Sequence, residues 1–190
     1  QTQANTVIPY YERFMETFPT VDDLALGDEE MLLKLWQGLG YYRRARNLKK
    51  AALVIHEKGM PQTFEGLREL PGIGDYTAAA IASIAFDEPV AAVDGNLLRI
   101  YSRLYCVDDV IDRSKGKNKI FALANKDISR ERPGDFNQAM MDLGNKVCTP
   151  ENPLCLLCPL RDDCAAFKEG RVAELPKKTP KKKQTLLDYT

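Results

Sequence analysis

Apolar residues recur at the spacing of helix faces along nearly the whole chain. The first such stripe consists of Val7, Tyr10, Tyr11, Phe14 and Phe18. A period of three to four residues is typical of amphipathic helices, whereas half-buried strands alternate with a period of two. Because the sequence has no alternating segment of convincing length, the pattern predicts an all-α fold.

The same periodicity predicts further helices, separated by turns rich in glycine and proline. One starts after Thr20, which forms a capping-box pattern with Asp23. The others cover residues 29–35, 42–58, a short segment from Thr63, 76–86, 95–105, 117–129 and 135–147. From Leu175 onward the composition turns to lysine and proline with little to bury, which indicates a linker or a disordered end.

Composition sets broad limits on the class of protein. Hydrophobic residues make up 44% of the 190 residues, enough for a sizeable core. The apolar runs fall short of the ~20 residues of a membrane span, and no secretory signal is visible, so we expect a soluble, intracellular protein. Equal numbers of basic and acidic residues, 27 of each, argue against a histone-like DNA binder. Basic residues nevertheless collect at 43–50 and 177–183, as DNA-facing patches or as solvated surfaces.

The cysteines suggest a metal centre. Of the five, Cys148, Cys155, Cys158 and Cys164 form the pattern C-x6-C-x2-C-x5-C. An odd number argues against a disulfide framework. Four thiolates so close in sequence can hold either a structural zinc ion or a four-iron cluster. Zinc ribbons usually have two close cysteine pairs, and here only Cys155 and Cys158 form one, which favours iron–sulfur. We expect the fifth, Cys106, to be a buried apolar thiol on the helix that starts at Gly95.

Two short motifs are candidates for DNA chemistry. In Leu70-Pro71-Gly72-Ile73-Gly74, two glycines before a helix could expose backbone N–H groups to a phosphate, although an ordinary helix–helix turn has the same composition. Asp94, in Val93-Asp94-Gly95-Asn96, is a suitable helix N-cap. It could also stabilise the oxocarbenium character that develops when an N-glycosidic bond breaks. The two roles of Asp94 are compatible.

Together these motifs resemble the helix–hairpin–helix DNA glycosylase superfamily, and the cysteine spacing is similar to the four-iron signature of its endonuclease III and MutY branches. Three more segments resemble the MutY-type adenine glycosylases. They are 1–10, from Gln1-Thr2-Gln3 to Val7-Ile8-Pro9-Tyr10; 38–48, with Gly38-Leu39-Gly40-Tyr41-Tyr42; and 136–144, with Phe136-Asn137-Gln138-Ala139-Met140-Met141-Asp142-Leu143-Gly144.

The resemblance implies two helical lobes with DNA in the cleft between them. Residues 1–88 would form a six-helix barrel with the helix–hairpin–helix, 89–170 the iron–sulfur lobe, and 171–190 a basic linker towards a C-terminal domain. It also implies a monomer in the bacterial cytoplasm, associated with the nucleoid. Its substrate would be double-stranded DNA with adenine opposite 8-oxoguanine or guanine, and the adenine would be flipped out of the stack.

Residue roles follow position by position from the resemblance. Asp94 matches the aspartate that stabilises the oxocarbenium ion, Asn96 a nearby polar residue, and Tyr76 an active-site tyrosine of some members. Gln1 and Tyr41 match residues that wedge into the base stack, although Tyr41 could instead be a buried core tyrosine. Gly72, Ile73 and Gly74 match the phosphate-binding hairpin. Cys148, Cys155, Cys158 and Cys164 match the ligands of a [4Fe-4S] cluster.

Two features of the MutY pattern lie outside the sequence. The family's catalytic glutamate would precede Gln1, and its 8-oxoguanine-recognising domain would follow the lysine-rich tail. We therefore expect residues 1–190 alone to release adenine poorly. One rival is an endonuclease III-type glycosylase/lyase, which needs a Schiff-base lysine where this chain has Tyr76. The others are a non-catalytic DNA-binding module and a zinc-stabilised scaffold with no DNA role.

Overall fold

A computed structural model describes residues 4–180 of the chain, so the predicted wedge residue Gln1 lies outside the described residues. The helices are α1 (Ala4–Thr17), α2 (Val21–Leu26), α3 (Glu29–Leu35), α4 (Arg43–Lys58), α5 (Phe64–Arg68), α6 (Asp75–Ala85), α7 (Gly95–Leu104), α8 (Ser114–Asp127), α9 (Pro133–Lys146) and α10 (Ala165–Lys168). Two 3₁₀ turns, Cys155–Leu157 and Arg161–Asp163, lie among the cysteines. Residues 4–180 contain no strand, and the all-α prediction is confirmed.

Helix boundaries differ from the sequence predictions mainly where cap signals are weak. Helix α8 starts at Ser114, three residues before the predicted position, and its N-cap residue Arg113 makes no side-chain capping bond. Helix α9 starts at Pro133, because proline is well tolerated in the first turn of a helix. By contrast, the predicted capping box of α2 is confirmed. The Asp23 backbone N–H donates to Thr20 Oγ1 at 3.1 Å, and the Thr20 N–H donates to Asp23 Oδ2 at 3.0 Å.

The chain divides into two compact units between Ala82 and Ser83. In the first unit, α2 packs on α4 around a core of Phe18, Leu24, Ala25, Leu32, Ala45 and Ala52. Lys49 of α4 donates through Nζ to the carbonyl oxygens of Leu24 and Ala25 at the end of α2, at 3.1 and 3.3 Å. Carbonyls at a helix C-terminus have no partner within the helix, so a cation there is stabilising. This framework carries the hairpin between α5 and α6.

In the second unit, α7 is the central element and packs against α8, α9 and α10. The shared core consists of Ala91, Leu97, Ile100, Tyr101, Ile111, Ile120, Ala124, Ile128, Met140 and Leu143. Cys148 and Cys158 pack against this core. The cysteine-rich loops are therefore built directly on the helix that follows Asp94.

The part of the lysine-rich segment that the structure describes, residues 175–180, packs against the rest of the second unit. Leu175 is 2% exposed, and its carbonyl accepts from Arg103 Nε at 3.0 Å. The Ile111 N–H donates to the Lys177 carbonyl, also at 3.0 Å, and Thr179 donates to the Asp112 carboxylate through its N–H and hydroxyl. Burial of Leu175 and hydrogen bonds to the backbone hold this segment in place. The lysine- and proline-rich composition does not indicate that the segment is docked. Throughout residues 4–180, the helices fall short of the length and apolarity that a membrane span requires.

Candidate active site and cysteine cluster

The hairpin between α5 and α6 is shaped by its first glycine. The turn is closed by the Ile73 N–H, which donates to the Leu70 carbonyl at 3.1 Å. Gly72 has φ +81°, a region that other residues rarely adopt, and a Cβ there would lie 2.6 Å from Asn47 Cβ. Both conformation and space therefore require glycine at position 72.

The fold does not require glycine at the second position of the hairpin, Gly74. Gly74 has an ordinary φ, and a Cβ placed on it would meet no atom within 4 Å beyond its chain neighbours. It stands at the start of α6, where its carbonyl accepts from the Ala78 N–H at 2.9 Å. The first N–H groups of a helix have no partner within the helix and favour an anion. Asp75 would oppose an anion, but its carboxylate is paired with Arg68 Nε at 2.7 Å.

Tyr41 precedes α4 in a strained and exposed conformation. Its φ is +49°, and 75% of the residue is exposed. The alternative of a buried core tyrosine is therefore wrong. The turn before it is fixed because Trp36 Nε1 donates to the Gly40 carbonyl at 3.0 Å. A left-handed non-glycine residue costs on the order of 1 kcal/mol, so the surrounding turn holds Tyr41 outwards against a local preference.

Asp94 is the N-cap of α7, as its position in the sequence predicts. Its Oδ1 accepts from the backbone N–H groups of Asn96 and Leu97 at 2.8 and 2.9 Å. Its Oδ2 accepts from Asn96 Nδ2 at 3.0 Å. These three bonds hold the carboxylate in one orientation while it remains only partly buried. Such a fixed, accessible negative charge can stabilise a cation developing nearby.

A chain of hydrogen bonds runs from Asp94 to the first cysteine. Arg99 Nη2 donates to Asn96 Oδ1 at 2.9 Å and to the Gly144 carbonyl at 2.7 Å, and its Nε donates to the Cys148 carbonyl at 2.7 Å. Burial lowers the pKa of Arg99, while Cys148 and Asp94 oppose that shift. The Asn96 side chain is thus fixed between a carboxylate and a buried guanidinium.

The four clustered cysteines line one cavity of about 30 Å³. They are Cys148, Cys155, Cys158 and Cys164, and all are free thiols. Burial raises the pKa of Cys155, Cys158 and Cys164, so ionising them needs a compensating positive charge. Arg103 is one such charge, and its Nη1 donates to Cys148 Sγ at 3.4 Å. Over the part of the chain that the structure describes, no three His, Cys, Asp or Glu side chains are arranged to hold a single metal ion.

Comparison with known proteins assigns the family. The family model for HhH-GPD superfamily base excision DNA repair proteins matches residues 1–126. The chain belongs to this superfamily.

Relatives of this HhH-GPD chain include adenine DNA glycosylases. The rat enzyme is 46% identical over 93% of this chain and 36% of its own length. The human enzyme is 46% identical over 87% of this chain and 31% of its own length. The enzyme of Buchnera aphidicola subsp. Schizaphis graminum is 39% identical over 99% of this chain and 54% of its own length. The chain thus spans about a third to a half of these relatives.

Solved structures of HhH-GPD type share the fold. A thermostable thymine-DNA glycosylase aligns with a TM-score of 0.77 and 25% identity, covering 88% of this chain and 79% of that one. Endonuclease III in a non-covalent DNA complex aligns with a TM-score of 0.66 and 28% identity, covering 88% and 78%.

Sequence reasoning missed the two buried arginines of this HhH-GPD chain. Arg99 and Arg103 are 7% and 3% exposed. The Arg103 guanidinium donates to the Thr149 and Pro150 carbonyls at 2.7 and 3.0 Å, which fixes the loop after Cys148. The available signal was their spacing: two arginines four residues apart interrupt the apolar stripe of α7.

The prediction for Cys106 is wrong. The residue lies beyond the end of α7, has φ +48° and is partly buried among charges. Its Sγ donates to Glu169 Oε2 and accepts from Arg171 Nη1, both at 3.2 Å. It does not line the cavity of the other four cysteines. The helix pattern could not reveal this, because both charged partners come from the segment after Cys164.

Proposed function

We propose that the protein is a DNA glycosylase that hydrolyses the N-glycosidic bond of adenine mispaired with 8-oxoguanine or guanine. The observation that carries the proposal is 35–46% identity to adenine DNA glycosylases across most of the chain. The fixed Asp94 carboxylate supports it, because cleavage places positive charge on the deoxyribose. Asn96 orients Asp94 and presents its amide beside it.

DNA binding rests on the hairpin. Gly72, Ile73 and Gly74 precede α6, whose first N–H groups would receive a backbone phosphate without reading sequence. We assign Tyr41 as a wedge beside the opposing base, since an exposed aromatic side chain on a rigid turn can fill the gap left by a flipped base. Tyr76, 41% exposed in the first turn of α6, is assigned to the adenine site.

We propose a [4Fe-4S] cluster held by Cys148, Cys155, Cys158 and Cys164. The residues fit this group, since four free thiols line one apolar cavity next to a buried arginine. Four ligands of one zinc ion would have to approach within about 3.8 Å of each other, whereas each thiolate of a cluster binds its own iron. When bound, the cluster joins segments of the cysteine-rich loops and can exchange electrons.

The reaction can be tested with the intact protein in excess over labelled duplexes. We expect adenine to be released at least about 10-fold faster opposite 8-oxoguanine than opposite thymine. The strand should break only after alkali, and borohydride should trap no covalent complex, because Tyr76 provides no amine for a Schiff base.

The same assay separates the rivals. Release of an oxidised pyrimidine with a borohydride-trapped adduct would replace the proposal with an endonuclease III-type lyase. Tight duplex binding without release of any base would leave a non-catalytic DNA-binding module.

The hairpin assignment predicts the effect of Gly74→Val. Because a Cβ at this position meets no other part of the protein, the variant should fold normally. The valine side chain would occupy the open space beside the first N–H groups of α6 and hinder a phosphate there. The variant should bind matched and mispaired duplexes alike about 10-fold more weakly, an effect comparable to one lost hydrogen bond to a charged group. Fluorescence anisotropy at several salt concentrations provides the measurement. Gly72→Ala is the contrasting variant, since its Cβ would collide with Asn47 and lower stability. An unchanged affinity of Gly74→Val would refute the phosphate site.

A further inference from the structure

The segment leading into Asp94 is buried but not helical. Val90, Ala91 and Ala92 are 8%, 0% and 0% exposed and precede α7. Buried backbone N–H and C=O groups need hydrogen-bond partners. The elements around this segment are helices, whose own backbone groups are already paired. The N–H groups of Val90 and Val93 bond to backbone carbonyls of the segment itself, those of Glu88 and Ala91. Side chains supply the partners of the N–H groups between them.

Asn137 of α9 binds two backbone groups of the segment. The residue is 0% exposed. Its Oδ1 accepts from the Ala92 N–H at 3.0 Å, and its Nδ2 donates to the Val90 carbonyl at 3.0 Å and to Ser83 Oγ at 2.8 Å. The amide group of Asn137 thus pairs with one backbone N–H and one backbone carbonyl of the segment, as the backbone of an adjacent β-strand does. The Asn137 NH2 group faces two oxygen acceptors and its Oδ1 faces an N–H donor. These partners fix which way the amide group is oriented.

A second amide side chain holds the adjacent residue. Asn125 of α8 accepts through Oδ1 from the Ala91 N–H at 2.9 Å. Its Nδ2 is tied to its own helix, donating to the Phe121 carbonyl at 2.9 Å. Consecutive N–H groups of the segment are therefore anchored on two different helices. Asn137 is the fully buried anchor and the one nearer Asp94.

We propose that Asn137 is a positioning residue for the carboxylate of Asp94. The α7 N-terminus fixes Asp94 from its C-terminal side, through the N–H groups of Asn96 and Leu97. Asn137 fixes it from the N-terminal side, because only Val93 separates the anchored Ala92 from Asp94. Held at both ends, the carboxylate has little freedom to move as charge develops. The inference rests on the proposed catalytic role of Asp94.

Asn137→Leu removes all three bonds at similar volume. The Ala92 N–H and Val90 carbonyl would lose their partner, so the segment would have to shift. A misplacement of about 1 Å can cost 10²-fold in rate, and we expect single-turnover adenine release to slow about 10- to 100-fold. Duplex affinity should stay within about threefold, since phosphate binding is assigned to the hairpin.

Two controls separate positioning from general stability. Gln138→Leu alters the next residue of α9, whose Nε2 donates to the Gly134 carbonyl of the same helix. It should keep normal turnover. Ile120→Ala creates a cavity in the core on α8 and should lower the melting temperature while release stays normal. A slow rate in Asn137→Leu alone would then reflect the position of Asp94.

Amide hydrogen exchange of the DNA-free protein gives a readout independent of chemistry. In Asn137→Leu we expect about 10-fold faster exchange at Asn96 and Leu97, whose N–H groups bond to Asp94. Unchanged exchange there, or a normal rate of release, overturns the proposal. If Asp94→Asn released adenine as fast as the unaltered protein, the catalytic role of Asp94 would fail, while exchange would still decide whether Asn137 holds its carboxylate.

A milder variant covers the case in which Asn137→Leu does not fold. Ser83→Ala removes one partner of Asn137 Nδ2 and leaves the bonds to Val90 and Ala92. It should slow release about threefold, in keeping with the loss of one neutral hydrogen bond, with the same pattern of exchange. A rate and exchange pattern identical to those of the unaltered protein would overturn the assignment.

Discussion

Asp94→Asn should lower the rate of adenine release by about 10³-fold or more in the intact protein. Asparagine caps a helix nearly as well as aspartate, so the bonds from Asn96 and Leu97 to Oδ1 can persist. Besides the bond from Asn96 Nδ2 to Oδ2, what is lost is the negative charge, which acts only on the cation formed in the transition state. Duplex affinity should therefore change little. Single-turnover release and equilibrium binding, measured on the same duplex, test this.

A matched control is available for the capping role. Asp28 is the N-cap of α3 and accepts from the Glu30 N–H at 3.0 Å. Asp28→Asn makes the same chemical change at a cap with no proposed role in chemistry, and it should leave release unaffected. If Asp94→Asn lost binding and turnover equally, Asp94 would be chiefly a structural cap.

Cys155→Ser should deprive the protein of most of its iron and lower its melting temperature by about 10 °C or more. Serine is a poorer iron ligand than thiolate, and binding of a structural metal contributes directly to folding free energy. The unaltered protein, purified without oxygen, should contain iron and acid-labile sulfide in equal amounts and absorb broadly in the visible range. Metal analysis and thermal unfolding supply the measurements.

Cys106→Ser is the control for this second prediction, because Cys106 does not line the cavity. It should retain full iron content. Stoichiometric zinc in the unaltered protein would exclude the cluster. Full iron retention in Cys155→Ser would exclude Cys155 as one of its ligands. Since Cys148 is joined to Asp94 through Arg99 and Asn96, the position of the carboxylate should also depend on this region.

Local features of the molecule could be predicted from the sequence because they depend on near neighbours. Helix periodicity gave most of the helices, and short-range capping chemistry gave the N-caps at Thr20 and Asp94. The need for glycine at position 72 was predicted from its turn. The cysteine window brought four thiols together within 17 residues. In each case the interacting groups lie close along the chain.

Tertiary structure alone decided which polar groups are buried and what they bind. Asn137 bonds to residues 45 to 54 positions away, and Arg103 bonds to Leu175, 72 positions away. A helix pattern assigns asparagine and arginine to the solvent face, because burying them without partners is costly. Here the partners are backbone groups of distant loops, and no local pattern records them. The same reason explains the docking of Leu175 and the charged surroundings of Cys106.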